Sequence, residues 1–358
     1  MARHTSYGSE RALFRDPRSG LRVIRLTHSP CISHNMYFEM CSFTADDEYV
    51  ILRSQRYAGR DAPYDLLRAR TDGMELLQLT EYDDLSGMVA SPATGHVLYQ
   101  TGGEVRKMDM VSLDETTVAK APGTGPGHVG CSASIDRMGE TYFSICRLSE
   151  TRTGLFWVSV ATGETEIIHE SESQNHVHAS PDGKTVHFND FSDGTGKPTF
   201  IDADGANLRE YTFRQFAHHT WFGEDGRMQG TLVPPGSAIV TWAEGEGEPT
   251  FLTQGRYYWH SGTSLDAQWI VADTNWPQEG LYMLHVPSRT VSYLCDPRSS
   301  CSHPQWTHPH PALSPNMKYV VFNSDMTGVG QVYLVELTEE FLEQAAEGYV
   351  CRSRLISE

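Results

Sequence analysis

The sequence predicts an all-β fold, a seven-bladed β-propeller, from a repeated turn, the length of the repeat and one missing strand at the end of the chain. In each repeat, a polar turn leads into a short run of β-forming residues, as in Ser180–Phe188 and Ser314–Phe322. The turns lie at residues 46, 93, 136, 182, 225, 266 and 316, which gives a repeat of 41 to 50 residues. One four-stranded blade has about this length.

Two further strands follow the first hairpin in several repeats. In the first repeat, residues 64–70 lead through Asp72-Gly73 into residues 75–80. In the third, residues 155–160 lead through Thr162-Gly163 into residues 164–168. Such turn residues are typical of β-hairpins. These repeats therefore contain the four antiparallel strands of a blade.

The last repeat lacks an outermost strand, because residues 331–337 run directly into a predicted helix. Leu21–Thr27 resembles the fourth strand of the first repeat, so we expect it to complete the last blade and close the ring. We expect one propeller domain, residues 21–337, with an N-terminal arm (1–20) and a C-terminal helical tail (338–358). Chain length alone would have suggested two domains.

Composition narrows the class of protein. The 358 residues carry a formal charge of −18, which argues against nucleic acid or an anionic membrane as the partner. The chain contains no apolar run of 18 residues and no apolar N-terminal signal segment. Seven cysteines without a C-x-x-C pair indicate reduced thiols and a cytoplasmic protein. The oligomeric state is not indicated.

Histidines recur at matching positions. In a propeller, the innermost strand of each blade lies just before the repeated turn and lines the channel. Counting back six residues from the turns finds four histidines, and counting back eight finds two more: His176, His219, His260 and His310, then His128 and His308. Residues two apart in a strand point to the same face, so we expect six of the 16 histidines at one mouth of the channel.

His308 and His310 form an H-x-H pair among prolines, and two neutral imidazoles at that spacing make half of a divalent-metal site. The alternative is a pair of surface histidines in a proline-rich loop, or channel histidines that only form hydrogen bonds. Taken together, the six histidines favour a catalytic or metal-binding role over a purely structural one. In His218-His219 only one ring can face the channel, and the counting favours His219.

The histidines and their neighbours resemble a known family. His260, the element Gln305-x-x-His308-x-His310, the closing Ser314–Asp325 and the opening Gly20–Thr27 are similar to the oligogalacturonate lyases. These are cytoplasmic seven-bladed propellers that degrade short unsaturated pectin fragments. The resemblance covers most of the chain as a blade pattern and is dense in blades 4 to 7.

The resemblance implies roles for individual residues. The ligands of a divalent metal, typically Mn²⁺, would be His260, Gln305, His308 and His310. His219 matches the base, and His176 is grouped with it as a second catalytic residue that contacts the substrate. The family's substrate arginine aligns with Lys197, which cannot form the bidentate pair that arginine forms with a carboxylate. His128 and His218 are expected to contribute to substrate binding.

The implied reaction is β-elimination on an oligosaccharide that contains uronic acid. The C5 proton beside the carboxylate must be made acidic and then removed, and a divalent ion and an imidazole suit these two tasks. Gln is a hard oxygen donor, which favours manganese over a closed structural zinc site.

Two other functions remain open from the sequence. A metal-dependent hydrolase or lactonase acting on a sugar acid could use the same histidines, although such sites usually include ligating carboxylates and none occurs at the counted positions. A non-catalytic ligand-binding propeller would not need a ring of imidazoles. A serine-peptidase propeller is excluded, since the chain has no G-x-S-x-G element or hydrolase domain.

Overall fold

The structure is a computed structural model that describes residues 3–59, 62–126, 132–210, 216–224, 226–275, 277–302 and 304–348. Its strands form seven separate antiparallel sheets of four or five strands, the blades of a seven-bladed β-propeller. Five sheets are built from consecutive strands, the sheet of blade 1 gains one N-terminal strand, and the seventh sheet combines the two ends of the chain. The predicted fold class is confirmed.

The strands follow one another along the chain blade by blade. The N-terminal segment contains β1 (Ser6–Gly8), β2 (Ala12–Arg15) and β3 (Arg22–Arg25). Blade 1 contains β4 (Ser33–Asn35), β5 (Tyr49–Gln55), β6 (Tyr64–Arg70) and β7 (Leu76–Gln78). Blade 2 contains β8 (Ser86–Ala90), β9 (His96–Thr101), β10 (Glu104–Asp109) and β11 (Glu115–Lys120). Blade 3 contains β12 (Gly125–Pro126), β13 (Ala133–Ile135), β14 (Thr141–Arg147), β15 (Thr153–Ser159) and β16 (Thr165–Ser171).

The second half of the ring carries most of the histidines discussed below. Blade 4 contains β17 (Gln174–Ala179), β18 (Thr185–Asp190), β19 (Lys197–Asp202) and β20 (Arg209–Glu210). Blade 5 contains β21 (Phe216–Phe222), β22 (Arg227–Leu232), β23 (Ala238–Ala243) and β24 (Thr250–Gln254). Blade 6 contains β25 (Tyr258–Thr263), β26 (Trp269–Thr274), β27 (Leu281–His285) and β28 (Thr290–Cys295). Blade 7 contains β29 (Ala312–Leu313), β30 (Tyr319–Ser324) and β31 (Gln331–Glu336), after a 3-10 helix at Gln305–Thr307.

The ring closes in the way the sequence predicts. Strand β3 pairs antiparallel with β31, with Val23 opposite Val335 and Ile24 opposite Leu334. An N-terminal strand thus completes the last blade, so the sheet edge that β31 would otherwise leave open is covered.

The segment expected as an N-terminal arm contributes to two sheets. Strand β2 pairs with β3 as the outer strand of blade 7, and β1 pairs with β7 as the outer strand of blade 1. Both strands have only three or four residues, and short strands give little periodicity from which to predict them. Residues 6–15 therefore belong to the outer rim of the propeller.

Hydrophobic side chains hold the blades together in pairs. Seven clusters of buried residues are present, one between each pair of neighbouring blades, and the cluster between blades 7 and 1 contains Ile24 and Leu334. Because each sheet is apolar on both faces, every blade packs against two neighbours.

The predicted C-terminal helix is present as α1 (Glu339–Glu347). Thr338 caps it by accepting a hydrogen bond from the Phe341 backbone N–H at 3.1 Å, and Gly348 ends it with φ of 78°. Thr290 of blade 6 donates a hydrogen bond to the Ala345 carbonyl at 2.7 Å, which ties the helix to the outside of the ring. Among the described residues, no helix is long and apolar enough to cross a membrane.

The closing strand allows a direct test of stability. Ile24 is 1% exposed in the core between blades 7 and 1, whereas Leu13, its partner on β2, is 47% exposed. Ile24→Ala is expected to lower the free energy of unfolding by about 2–5 kcal/mol, because it leaves a cavity in a packed core. Denaturant unfolding of Ile24→Ala and of the control variant Leu13→Ala checks this. An equal loss of stability in Leu13→Ala would contradict the expectation.

Candidate metal centre and active site

The innermost strands of several blades contain a bulge at the level of the histidines. The register shifts between Ser86 and Val89 in β8, between Asn175 and His178 in β17, and between Ala217 and Thr220 in β21. Four residues at this level have a left-handed backbone: Gly87 (φ 53°), His176 (φ 53°), His218 (φ 56°) and His310 (φ 46°). Left-handed φ is uncommon for residues other than glycine. A bulge also redirects the side chain it carries.

Three histidines converge at the channel from blades 6 and 7. One ring nitrogen from each of His260, His308 and His310 lies within 4.8 Å of the other two. The centroids of the His260 and His310 rings are 4.2 Å apart, and that of His308 is 5.6 Å from that of His260. All three residues are at most 4% exposed. These rings form a compact, buried cluster.

Asp273 on the neighbouring strand β26 fixes His260. Its carboxylate accepts hydrogen bonds from the His260 backbone N–H at 2.7 Å and from Nδ1 at 2.8 Å. Burial lowers the pKa of His260 well below its ordinary value and raises the pKa of Asp273 to about 7. With its proton on Nδ1, a neutral His260 has its lone pair on Nε2. Carboxylates commonly orient metal-binding histidines in this way.

Two asparagines and a carbonyl hold the H-x-H segment. Asn35 Nδ2 donates to the His310 carbonyl at 2.7 Å, and the Asn323 backbone N–H donates to the Pro309 carbonyl at 2.8 Å. His308 Nε2 lies 2.8 Å from the carbonyl oxygen of Ser302. Because a carbonyl only accepts, the proton of a neutral His308 is on Nε2 and its lone pair is on Nδ1.

The cluster fits a divalent cation. The Nε2 atoms of His260 and His310 are buried and have no hydrogen-bond partner among the residues that the structure describes. Burying such atoms without a partner is costly unless another ligand satisfies them. Three converging imidazole lone pairs are a common ligand set for divalent transition metals.

Gln305, the fourth expected ligand, lies three residues before His308. It begins the 3-10 helix and its side chain is exposed, unlike the three histidines. Its role as a ligand remains a prediction.

The segment after β4 reaches into the channel and contacts histidines of several blades. The Tyr37 ring lies 4.4 Å from the His310 ring, and the Phe38 ring lies 5.2 Å from the His260 ring. Glu39 reaches blade 4, where its carboxylate lies 3.0 Å from His176 Nδ1 and 3.1 Å from His178 Nε2. This segment of blade 1 therefore joins both groups of histidines.

The Glu39 carboxylate and the His176 imidazole influence each other's charge. Burial would raise the pKa of Glu39, but His178 and His176 outweigh it and hold that pKa below its ordinary value. Burial would likewise lower the pKa of His176, yet the Glu39 carboxylate raises it. His176 therefore holds a proton more strongly than an isolated histidine does.

The two neighbouring histidines of β21 lie on different sides of the strand, as expected. Residue counting favoured His219 for the channel side, whereas the structure places His218 there. The His218 ring lies 4.5 Å from the His260 ring and 5.8 Å from that of Phe38. The His219 ring lies 5.4 Å from His187 and 5.7 Å from Trp242. Trp221 pairs with Met228 across a turn of the same length as that of blade 4, where Ala179 pairs with Val186. The residue equivalent to Asp182 is therefore Glu224, one position before the residue used for counting, so His218 takes the position that the counting gave to His219.

A cavity of about 420 Å³ opens beside these residues. Six of the residues that line it are acidic or imidazole groups: Glu39, His176, His178, His187, His218 and His219. This volume lies within the range of small-molecule sites. His218 lines this cavity and also connects it to the cluster of His260, His308 and His310.

Lys197 lines the same cavity, but its charge is already paired. Its Nζ lies 3.3 Å from Asp193 Oδ2 and 3.3 Å from Glu210 Oε1. A substrate carboxylate would have to compete with both carboxylates. The other expected substrate residue, His128, lies outside the described residues.

Sequence reasoning missed four residues of the site: Glu39, His178, His187 and Asp273. His178 could have been found, because His176-Val177-His178 repeats the H-x-H spacing of blade 7. Glu39 lies 137 positions from His176 in the chain, and nothing in the local sequence marks it. Only the fold brings them together.

Comparison with known proteins supports the resemblance seen in the sequence. No family model matches the chain. The oligogalacturonide lyase of Pectobacterium atrosepticum and the oligogalacturonate lyase of Dickeya dadantii are each 24% identical over 91% of this chain and 96% of their own length.

Solved structures give the same result for the fold. The oligogalacturonate lyase from Vibrio parahaemolyticus superposes with a TM-score of 0.76 at 19% identity, covering 95% of this chain and 100% of that one. An oligogalacturonate lyase in complex with manganese gives a TM-score of 0.78 at 21% identity, covering 96% and 100%. Along nearly its whole length, this chain is similar in sequence and in fold to oligogalacturonate lyases.

Proposed function

We propose that this protein is a metal-dependent lyase that cleaves short oligosaccharides containing uronic acid, of the oligogalacturonide type, by β-elimination. The observation that carries the proposal is the buried cluster of His260, His308 and His310, with two unpartnered Nε2 atoms, in a relative of lyases. We place the protein in the cytoplasm, in keeping with the five free cysteines of the described residues.

The three histidines would hold the cation, with Gln305 as a fourth ligand if its exposed side chain turns toward them. Manganese is the cation of choice, because one similar lyase is in complex with manganese. When bound there, a divalent cation would neutralise a uronate carboxylate and make the neighbouring C5 proton more acidic.

His218 is placed to remove the C5 proton. Its Nδ1 is buried without a hydrogen-bond partner, and burial keeps its pKa well below the ordinary value, so the ring is neutral and can accept a proton. The sequence resemblance implied His219 in this role. We propose His218 instead, because its ring is the one beside His260.

His176 supplies positive charge at the cavity. Its pKa is raised by Glu39, so it carries a proton over a wider pH range and can attract a second carboxylate of the substrate. This attraction would offset part of the repulsion that an anionic sugar meets at a protein with a charge of −18. His219 lines the same cavity, and Lys197 could contribute only by leaving its two carboxylate partners.

The products distinguish elimination from hydrolysis. Incubation with digalacturonate should break the C5–H and C4–O bonds, form a C4–C5 double bond, and pass the proton to the leaving oxygen. We expect an unsaturated uronate, detected by the absorbance of the new double bond and by mass spectrometry. Products that contain an added water molecule would overturn the proposal in favour of a sugar-acid hydrolase or lactonase, and no turnover of any uronide would favour a binding protein.

Removal of the metal should abolish activity. Dialysis against EDTA is expected to leave less than about 1% of the rate, because three histidines without an ion cannot neutralise the carboxylate. Added Mn²⁺ should restore the rate. Initial rates on the same digalacturonate check this, and an EDTA-treated sample that is free of metal by elemental analysis but fully active would refute the role of the metal.

A further inference from the structure

A second group of potential metal ligands lies in the channel, apart from the three-histidine centre. One atom from each of Glu39, His176 and His178 lies within 4.8 Å of the other two. His176 and His178 belong to blade 4, and Glu39 comes from blade 1. None of these residues belongs to the cluster formed by blades 6 and 7.

The spacing of these atoms matches a shared ion. Glu39 Oε1 lies 3.0 Å from His176 Nδ1, and Glu39 Oε2 lies 3.1 Å from His178 Nε2. Ligand atoms that bind one cation at about 2.0–2.2 Å are separated from each other by roughly 3 Å. Two histidines and one glutamate also form the ligand set of open zinc sites.

Hydrogen bonding alone does not account for the cluster. His178 is 4% exposed, and its buried Nε2 lies 3.1 Å from the Glu39 carboxylate. His187, which is 1% exposed, has a buried Nδ1 without a partner, and its ring lies 5.6 Å from that of His178. A cation between the imidazole nitrogens and the carboxylate would satisfy the buried lone pairs of both.

The cluster also faces open space. Glu39, His176, His178 and His187 all line the cavity of about 420 Å³. An ion held by three protein ligands keeps coordination positions for water or for an oxygen of a ligand. A buried but accessible position of this kind is typical of exchangeable metal sites rather than closed structural ones.

We propose that Glu39, His176 and His178 form a second divalent-cation site, which binds Zn²⁺ or a similar first-row transition metal with its open positions toward the cavity. The site does not depend on the lyase activity or on the three-histidine centre. When no cation is bound, the imidazole of His176 contacts the Glu39 carboxylate directly, so a bound cation and a protonated His176 are alternative sources of positive charge at the cavity.

Metal stoichiometry tests this proposal without any sugar. Metal-free protein is titrated with Zn²⁺ and bound metal is measured by equilibrium dialysis with elemental analysis. We expect two equivalents for the wild type, one for His178→Ala and one for His310→Ala. A matched control is His169→Ala, which removes a blade 3 histidine that lies near a blade 4 carboxylate, Asp190 at 3.6 Å, and this variant should keep two equivalents.

Each outcome decides the question. One equivalent in the wild type that is lost in His310→Ala and kept in His178→Ala would overturn the second site. If His178→Ala does not fold, Glu39→Gln replaces it, and anomalous scattering from Zn²⁺-soaked wild-type crystals shows directly whether an ion lies between Glu39 and the two histidines. Absence of that peak would also overturn the proposal, even if the lyase assay succeeds.

Discussion

Replacing His310 with alanine is expected to abolish metal binding at the three-histidine centre and to lower lyase activity by at least about 100-fold. Even loss of a group that only supports a ligand typically costs 10–100-fold in metal affinity or activity. Here a proposed ligand itself is removed, and its Nε2 has no hydrogen-bond partner among the described residues to which the effect could be assigned. Elemental analysis of the purified variant and initial rates with added Mn²⁺ measure both effects.

His96→Ala is the control for this experiment. His96 lies in blade 2, half-buried, with Nε2 3.7 Å from Asp109, and it takes no part in either group of ligands. It should keep full activity and metal content. A His310→Ala variant that binds as much manganese at the three-histidine centre as the wild type would rule out the proposed ligand set.

The second large effect is expected at His218. His218→Ala should lower kcat by about 10²–10⁴-fold, the usual contribution of a general base, while leaving the bound metal in place. The reason is that no ligand is removed, yet the unpartnered Nδ1 that would accept the proton is lost. Steady-state kinetics combined with metal analysis separates this outcome from loss of the ion.

His219→Ala provides the comparison within the same strand. Its ring packs on Trp242 and His187, so we expect a change in stability or KM with a much smaller effect on kcat. If His219→Ala loses turnover and His218→Ala retains it, the base is His219, as the sequence resemblance implied.

The fold was predictable because its signal is repeated. Seven turns at nearly constant spacing each carry Asp, Asn or Gly, so an error in one blade does not disturb the others. Ring closure was also predictable, since the last repeat lacks one strand and Leu21–Thr27 matches it. The short strands β1 and β2 on the rim were not predictable, because three or four residues give no measurable alternation of apolar and polar side chains.

The site was predictable only in part. The H-x-H pair of blade 7 and His260 were found because their positions relative to the turns are regular. The choice between His218 and His219 depends on the strand register of blade 5, where Glu224 is equivalent to Asp182 and lies one position before the residue used for counting. Glu39 comes from blade 1 and reaches the site only through a tertiary contact, which the local sequence does not indicate. The alignment of Lys197 with the substrate arginine likewise does not reveal that Lys197 is paired with two carboxylates.

The bulge of the inner strands shows how the seven blades have come to differ. In blade 2 the left-handed position is Gly87, a residue that adopts this backbone freely, whereas in blades 4, 5 and 7 a histidine takes it. A left-handed residue other than glycine costs on the order of 1–3 kcal/mol. At this position, the strained residues of blades 4, 5 and 7 are the histidines that face the channel, and selection for thermostability alone would be expected to turn those histidines into glycine.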